Sequence, residues 1–289
     1  AITFPDFGLE GAVRKAINIW WDDIYYADLV GLTELSADYS KIADLTNIHC
    51  LDHLTYLDLN SNQISDLSPL GTVTSLHSLH LGNNQISDLS ALGTLTGLDG
   101  LYLDNNQVSD ISPISTLTGV VELQMDENQV SNIVPISAIK GLASLFLNDN
   151  QVSDLSPLST LASLNRLRLE NNQVSDISPI STMTGLNSLG LMGNDVSDLN
   201  PLSDLVSLTY LGLSDNQVSD ISPLNNLTNL EGLYLSTNEI SDIGPLVDNV
   251  GIDEADIVLI TNNALECDQE DLDDINALIE RGVWVEHDC

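Results

Sequence analysis

Positive charge is what this 289-residue sequence has least of: seven Lys and Arg face 43 Asp and Glu, a net charge of −36. A phosphate backbone or an anionic membrane surface is bound through a basic face, and this chain cannot supply one, so nucleic acid is excluded as a partner. Aromatic residues are also scarce. Three Trp, seven Tyr and three Phe are thin for an enzyme pocket or a sandwich core. No run of roughly 18 apolar residues occurs, which excludes membrane insertion as a helix. Three cysteines and five histidines form no cluster dense enough for zinc. A glycine-rich phosphate loop, a nucleophile elbow and a pocket of paired carboxylates are all missing, so the sequence points away from an enzyme and implies no cofactor. The apolar share of 43% is nevertheless enough for a core, so the acidity does not mean disorder.

What the sequence has in abundance is repetition. Asn62, Asn84, Asn106, Asn128, Asn150, Asn172, Asn194, Asn216 and Asn238 recur every 22 residues inside one template, L-x-x-L-x-L-x-x-N-x-(I/V)-S-D-(I/L)-x-P-(L/I)-x-x-L-x-x. Nine full periods run from Leu54 to Gly251, a degenerate one starts at Leu32, and a late one carries Val258, Ile260, Asn263 and Leu265. Leu57 and Leu59 alternate with polar neighbours, as a short strand with one buried face requires. The Asn falls where the chain turns off the strand, and its amide can satisfy backbone groups in the bend. Ser68-Pro69 reads as an N-cap followed by the first helical residue, with Leu70 and Val73 facing inward. No unit can bury its own apolar face, so stability must come from stacking neighbours. The expected fold is an α/β solenoid: right-handed and curved, a parallel sheet on the concave side, short helical or 3-10 turns on the convex side.

Both ends carry sealing signals. Asp6 can cap a helix whose Leu9, Ala12, Val13, Ala16 and Ile17 share one face. Asp268 can cap another that ends near Arg281, with Gly282 as the stop and Val283-Trp284-Val285 as a last strand. Thirteen helical residues climb roughly 20 Å and seven extended ones return roughly 23 Å. That brings Cys289 back to Cys267, a disulfide that would leave Cys50 unpaired and favour an oxidising compartment. The expected division is a helical cap over 1–31, the repeats over 32–253, and a last irregular repeat with its cap over 254–289.

The units QISDLSPL at 63–70, QVSDISPI at 107–114 and QVSDLSPL at 151–158 resemble the internalin-type leucine-rich repeat of bacterial surface proteins. FPD at 4–6, Asp28-Leu29 and LTEL at 32–35 are similar to the helical cap that opens internalin-like domains. The resemblance implies a leucine-rich repeat horseshoe, a secreted or cell-surface setting on a bacterium, and protein binding on the concave face. A helix, a strand and a terminal Cys follow the repeats here, where an immunoglobulin-like domain commonly follows them in that family.

The concave face is readable from the third and fifth positions of each period. Between 54 and 251 the aromatic residues are Tyr56, Tyr102, Phe146, Tyr210 and Tyr234, and all fall in these two columns. So do Arg166 and Arg168, two of the three basic residues of that stretch. Tyr and Arg are the side chains that binding hot spots favour. In the fifth column His80, Tyr102, Gln124, Phe146 and Arg168 are expected to form a stripe about 20 Å long, one strand spacing apart. Exposed aromatics also stabilise cross-strand neighbours without binding anything, and that reading stays open beside recognition. Acidic residues surround the stripe, which suits a ligand with basic groups and an apolar or acidic anchor near Arg166 and Arg168. The Asp column from Asp44 to Asp242 is read as backbone capping rather than calcium binding, because Asn132 occupies one of its slots. Asp104, Asp126, Glu127 and Asp149 are a weak candidate for a cation. The expected partner is a protein or a glycan, bound by a monomer. The rivals are a structural spacer or surface-layer component and an intracellular scaffold similar to phosphatase-regulating repeats.

Overall fold

A computed structural model describes all residues, Ala1–Cys289. They form two compact units, residues 1–147 and 148–289, built from the same rung. The first holds helices α1 (Phe7–Ile17) and α2 (Tyr26–Leu29) and strands β1 (Glu34–Ser36), β2 (Tyr56–Asp58), β3 (Ser78–His80), β4 (Gly100–Tyr102), β5 (Glu122–Gln124) and β6 (Ser144–Phe146). These six strands pair in parallel and in chain order, Leu35 opposite Leu57, Leu57 opposite Leu79, and so on to Leu145. The second unit holds β7 (Arg166–Arg168), β8 (Ser188–Gly190), β9 (Tyr210–Gly212), β10 (Gly232–Tyr234), β11 (Ile257–Leu259) and β12 (Trp284–Glu286), again parallel and sequential, with α3 (Gly244–Asp248) and α4 (Gln269–Glu280).

In strands β1 to β11 the middle of the three residues, Leu or Val, is buried. In β2, Leu57 is fully buried while Tyr56 and Asp58 face out half-covered. Leu54, Leu59, Ile64, Leu67, Leu70 and Val73 complete the rung's inner surface, all buried. Full burial of such a side chain contributes about 1.5–3 kcal/mol, and only while adjacent rungs cover it.

The repeated Asn stitches one rung to the one before. The Asn62 amide nitrogen donates to the carbonyls of Leu59 and Asn60 in its own turn and of Ala37 in the preceding rung. Its oxygen accepts from the N–H groups of Ser40 and Ile42. The residue before each Asn lies in the left-handed region, with φ of 57° at Ser61, 51° at Asn105, 53° at Glu127 and 58° at Thr237. Asn, Asp and Gly fill most of these slots because they tolerate that conformation; Glu127 and Thr237 accept it at a cost.

The helical turns differ from the expected Ser cap. In the turn Ser68–Thr72, a 3-10 helix, the N-cap position is Leu67 and Ser68 is already the first residue. Asp66 does the capping instead, its carboxylate accepting from the Ser68 N–H at 2.8 Å. Asp88, Asp110, Asp154, Asp176 and Asp220 do the same two residues ahead, and Asn132 serves Val134. With an acidic side chain two residues upstream already on the free N–H, the serine hydroxyl turns to the carboxylate itself, as Ser90 and Ser156 show. These bonds hold Asp88, Asp110, Asp154, Asp176 and Asp220 below the usual carboxylate range.

At the start, one Asp6 oxygen caps α1 through Gly8 and Leu9, while the other accepts from Ala43 and Asp44, which fastens the helix to the first repeat. Burial pushes the Asp6 carboxyl up, but these four N–H donors outweigh it and leave the group below its ordinary value. The buried stripe of α1 is narrower than its sequence suggests: Leu9, Ala12 and Val13 are buried, but Ala16 is exposed and Ile17 half-exposed. At the far end Asp268 caps α4, Gly282 turns the chain at φ +93°, and a disulfide joins Cys267 to Cys289. Arg281 reaches across to the carbonyls of Asn249 and Val247, tying this helix to the last regular repeat.

Candidate functional site

On the open face of the sheet, the outward residues of each three-residue strand form two columns with a register fixed by the 22-residue rung. In the first unit His80 stands opposite Tyr102, Tyr102 opposite Gln124, and Gln124 opposite Phe146. The His80 and Tyr102 rings are stacked, with centroids 4.1 Å apart and planes 8° from parallel. Tyr56 joins the other side of His80 at 5.1 Å and 50°. Gly100 makes this possible. A Cβ there would stand 3.0–3.1 Å from the Tyr102 ring edge and hydroxyl, so the ring lies back over its own strand. Ser78 Oγ sits 3.0 Å from His80 Nε2, and the Gln124 amide donates to Glu122 at 2.8 Å. Phe146 is half-buried.

Charge shapes this group. Burial lowers the His80 pKa, against the pull of Asp58, Asp104 and Glu122, so the ring is neutral at pH 7. Burial, then the Glu122 charge, raises the Tyr102 phenol, and burial raises the Asp104 carboxyl despite a bond from the Asp126 N–H.

The second unit carries a different cluster. Arg166 is exposed, whereas Arg168 is held: its Nη1 donates to Glu170 at 3.0 Å and its guanidinium lies 4.4 Å over the Tyr210 ring. Tyr210 meets Tyr234 at 5.2 Å and 41°. Glycines again make room. A Cβ on Gly190 would collide with the Glu170 carboxylate, one on Gly212 would press on the Tyr210 hydroxyl, and one on Gly232 would press on the Tyr234 ring. Glu170 is buried, and its Oε2 has no hydrogen-bond partner. Burial would lower the Arg168 pKa, but Glu170 more than compensates.

The anchor expected at Arg166 and Arg168 is therefore uneven: Arg166 is free to meet an acidic group, while Arg168 is already neutralised by its own chain. Glu170 as a clamp, and the glycines that let the rings lie flat, are not declared by the repeat pattern. Gly100, Gly212 and Gly232, each two residues from a Tyr, were the available signal. Phe7, Trp20, Trp21, Tyr25, Tyr26 and Tyr39 near the N-terminus are also exposed. For the weak cation candidate, no three His, Cys, Asp or Glu side chains converge as metal ligands anywhere in the chain. Asp104 instead accepts from the Asp126 N–H, and Asp149 from the Asn171 amide. Cys50 is half-buried, and burial followed by the Asp52 charge raises its thiol pKa, which keeps it protonated.

Among known proteins, the family model described as leucine-rich repeats (two copies) matches residues 30–72, 74–118 and 206–248. An internalin of Listeria monocytogenes, InlF, is 34% identical, with 99% of this chain and 91% of that one covered and a TM-score of 0.84. Internalin C2 of the same organism is 35% identical over 78% of this chain and 92% of that one, with a TM-score of 0.60. The functional domain of InlJ, also from Listeria monocytogenes, shares the fold at 24% identity, over 91% of this chain and 56% of that one, with a TM-score of 0.81. A comparison with curated proteins gives no match. At 34% identity over 99% of its length, the chain belongs to the internalin family of leucine-rich repeat proteins.

Proposed function

We propose that this chain is a non-catalytic binding module, secreted or held at a bacterial cell surface, that takes a protein ligand on the open face of its sheet. One observation carries the reading. Every aromatic residue between 54 and 251 lies on that face, half-exposed; Tyr102, Tyr210 and Tyr234 lie over glycines, and Tyr56 packs against His80 of the next rung. Side chains already ordered by stacking and by a rigid strand lose little freedom on binding, so more of the contact energy appears as affinity. The wall of identical scaffold residues elsewhere offers no comparable variety. Family membership supports the module, and the Cys267–Cys289 bridge supports an oxidising, extracellular setting.

Capture of ligands by immobilised protein tests it. Wild type, Phe146→Ala/Arg168→Ala and a control altered on the turn side, Ser115→Ala/Ser159→Ala, are compared by mass spectrometry of what each retains. A partner held by wild type and control but lost by the sheet-face variant is the expected result. Equal retention of the same partner by all three removes the sheet face as the binding surface.

A further inference from the structure

The sheet face of the first unit has a property that its three rings alone do not explain. No Lys or Arg occurs between Lys41 and Lys140, a stretch that includes strands β2 to β5. Asp58, Asp104 and Glu122 all act electrostatically on His80 at the centre of the ring stack, and Glu34 and Asp38 act on Tyr56 at its edge. None of these carboxylates has a Lys or Arg partner: the ion pairs of the chain are Arg14–Glu10, Arg168–Glu170, His53–Asp52 and His77–Asp99. The result is a face with π surface and uncompensated negative charge together. A shallow hollow beside the stack is lined by His77, Ser78, Gly100, Tyr102 and Glu122.

Resting on the protein-binding reading above, we infer that this face docks a basic segment of the partner, whose lysine or arginine side chains lie against the Tyr56–His80–Tyr102 stack among Asp58, Asp104 and Glu122. Three physical effects act in the same direction. A cation over a tyrosine face is attracted by the ring quadrupole, most strongly for arginine, which also stacks. The carboxylates add charge-assisted hydrogen bonds at the ring edges. The field of a −36 chain steers cations toward it and repels acidic partners. An acidic or neutral apolar segment gains none of these.

The test uses the intact protein and two blocked peptides, hexa-arginine and hexaglutamate, titrated by calorimetry at low and at physiological salt. A highly acidic chain attracts hexa-arginine everywhere, so location is read from two variants with the same change in charge. Glu34→Gln/Asp58→Asn/Glu122→Gln removes three charges from the face, and Asp66→Asn/Asp88→Asn/Asp110→Asn removes three from the turns. The second set keeps its backbone caps, as Asn132 does in the natural sequence, and the Asp58 and Glu122 substitutions keep their acceptor atoms for Asn60 and Gln124. The face variant is expected to weaken hexa-arginine about tenfold and the turn variant less than about twofold. Tyr102→Ala, which leaves the charge unchanged, is expected to weaken it about threefold. Hexaglutamate is expected not to bind. Equal weakening by both charge variants, or no effect of Tyr102→Ala, overturns the assignment. If the capture comparison still depends on Phe146 and Arg168 in that event, the sheet face remains the binding surface and only the basic partner is lost.

Discussion

Replacing Asn106 by Ala removes one side chain from the ladder that joins the rungs, and the structure sets the size of the loss. The Asn106 amide nitrogen donates to the carbonyls of Leu81, Leu103 and Asp104 at 3.0, 3.0 and 3.2 Å, and its oxygen accepts from the Ile86 N–H at 3.0 Å. The side chain is 8% exposed, so water cannot replace most of these bonds. A buried group left without a partner costs about 1–3 kcal/mol. The Ile86 N–H bears the full cost, and the three carbonyls, each with a second lone pair, bear less. The sum is about 3–5 kcal/mol, large for any single substitution. Urea unfolding followed by circular dichroism measures it, and hydrogen exchange at the Ile86 amide locates it. Asn106→Asp sharpens the test: it keeps the acceptor but turns a negative oxygen toward three carbonyls, so it should destabilise at least as much as Ala. Asn105→Gly, one residue away at φ 51° and exposed, should change stability by less than about 0.5 kcal/mol. A loss under about 1 kcal/mol for Asn106→Ala, or unchanged exchange at Ile86, refutes the ladder as the joint between rungs.

Three further outcomes follow from the same structure. Gly190→Ala places a methyl group where the Glu170 carboxylate now lies, so Glu170 must move and Arg168 loses its clamp; crystallography or the Arg168 side-chain NMR signals should show a mobile guanidinium, and an unchanged Arg168 resonance contradicts the arrangement. His80 should titrate by NMR below its usual 6.5, because burial outweighs the surrounding carboxylates. The unfolded chain then binds more protons than the folded one just below pH 6.5, so this group's contribution to stability is present at pH 7 and lost as pH falls through the folded value; Asp58→Asn should lower the His80 pKa further, and a rise would show the wrong sign for the local field. Cys267→Ser/Cys289→Ser opens a loop with a sequence separation of 22 and should cost about 3 kcal/mol in the C-terminal cap, read as faster hydrogen exchange in α4 and β12, with no change in the first unit.

The scaffold was legible because every rung repeats one solution. Leu57, Leu59, Ile64 and Leu70 declare their burial by spacing alone, and the strand columns follow from the alternation around Leu57. The caps at Asp6 and Asp268 were legible for the same reason, since an N-cap is a local contact. Ser68 was misread locally: its Pro neighbour suggests a cap, but Asp66 reaches the same N–H first. Ala16 was misread because a helical face says which residues align, not how much of that face a neighbour covers.

The sequence by itself determined the rung, the register of the two outward columns and the residues that occupy them, because those depend on periods of two and of 22 that any stacked copy must obey. Only the tertiary structure decided what each outward side chain does: that His80 and Tyr102 stack, that Tyr102 lies over Gly100, and that Arg168 is spent on Glu170 and Tyr210 while Arg166 stays free. Such choices are made between rotamers whose partners sit a full rung away, and their energies depend on contact and burial that no linear pattern encodes.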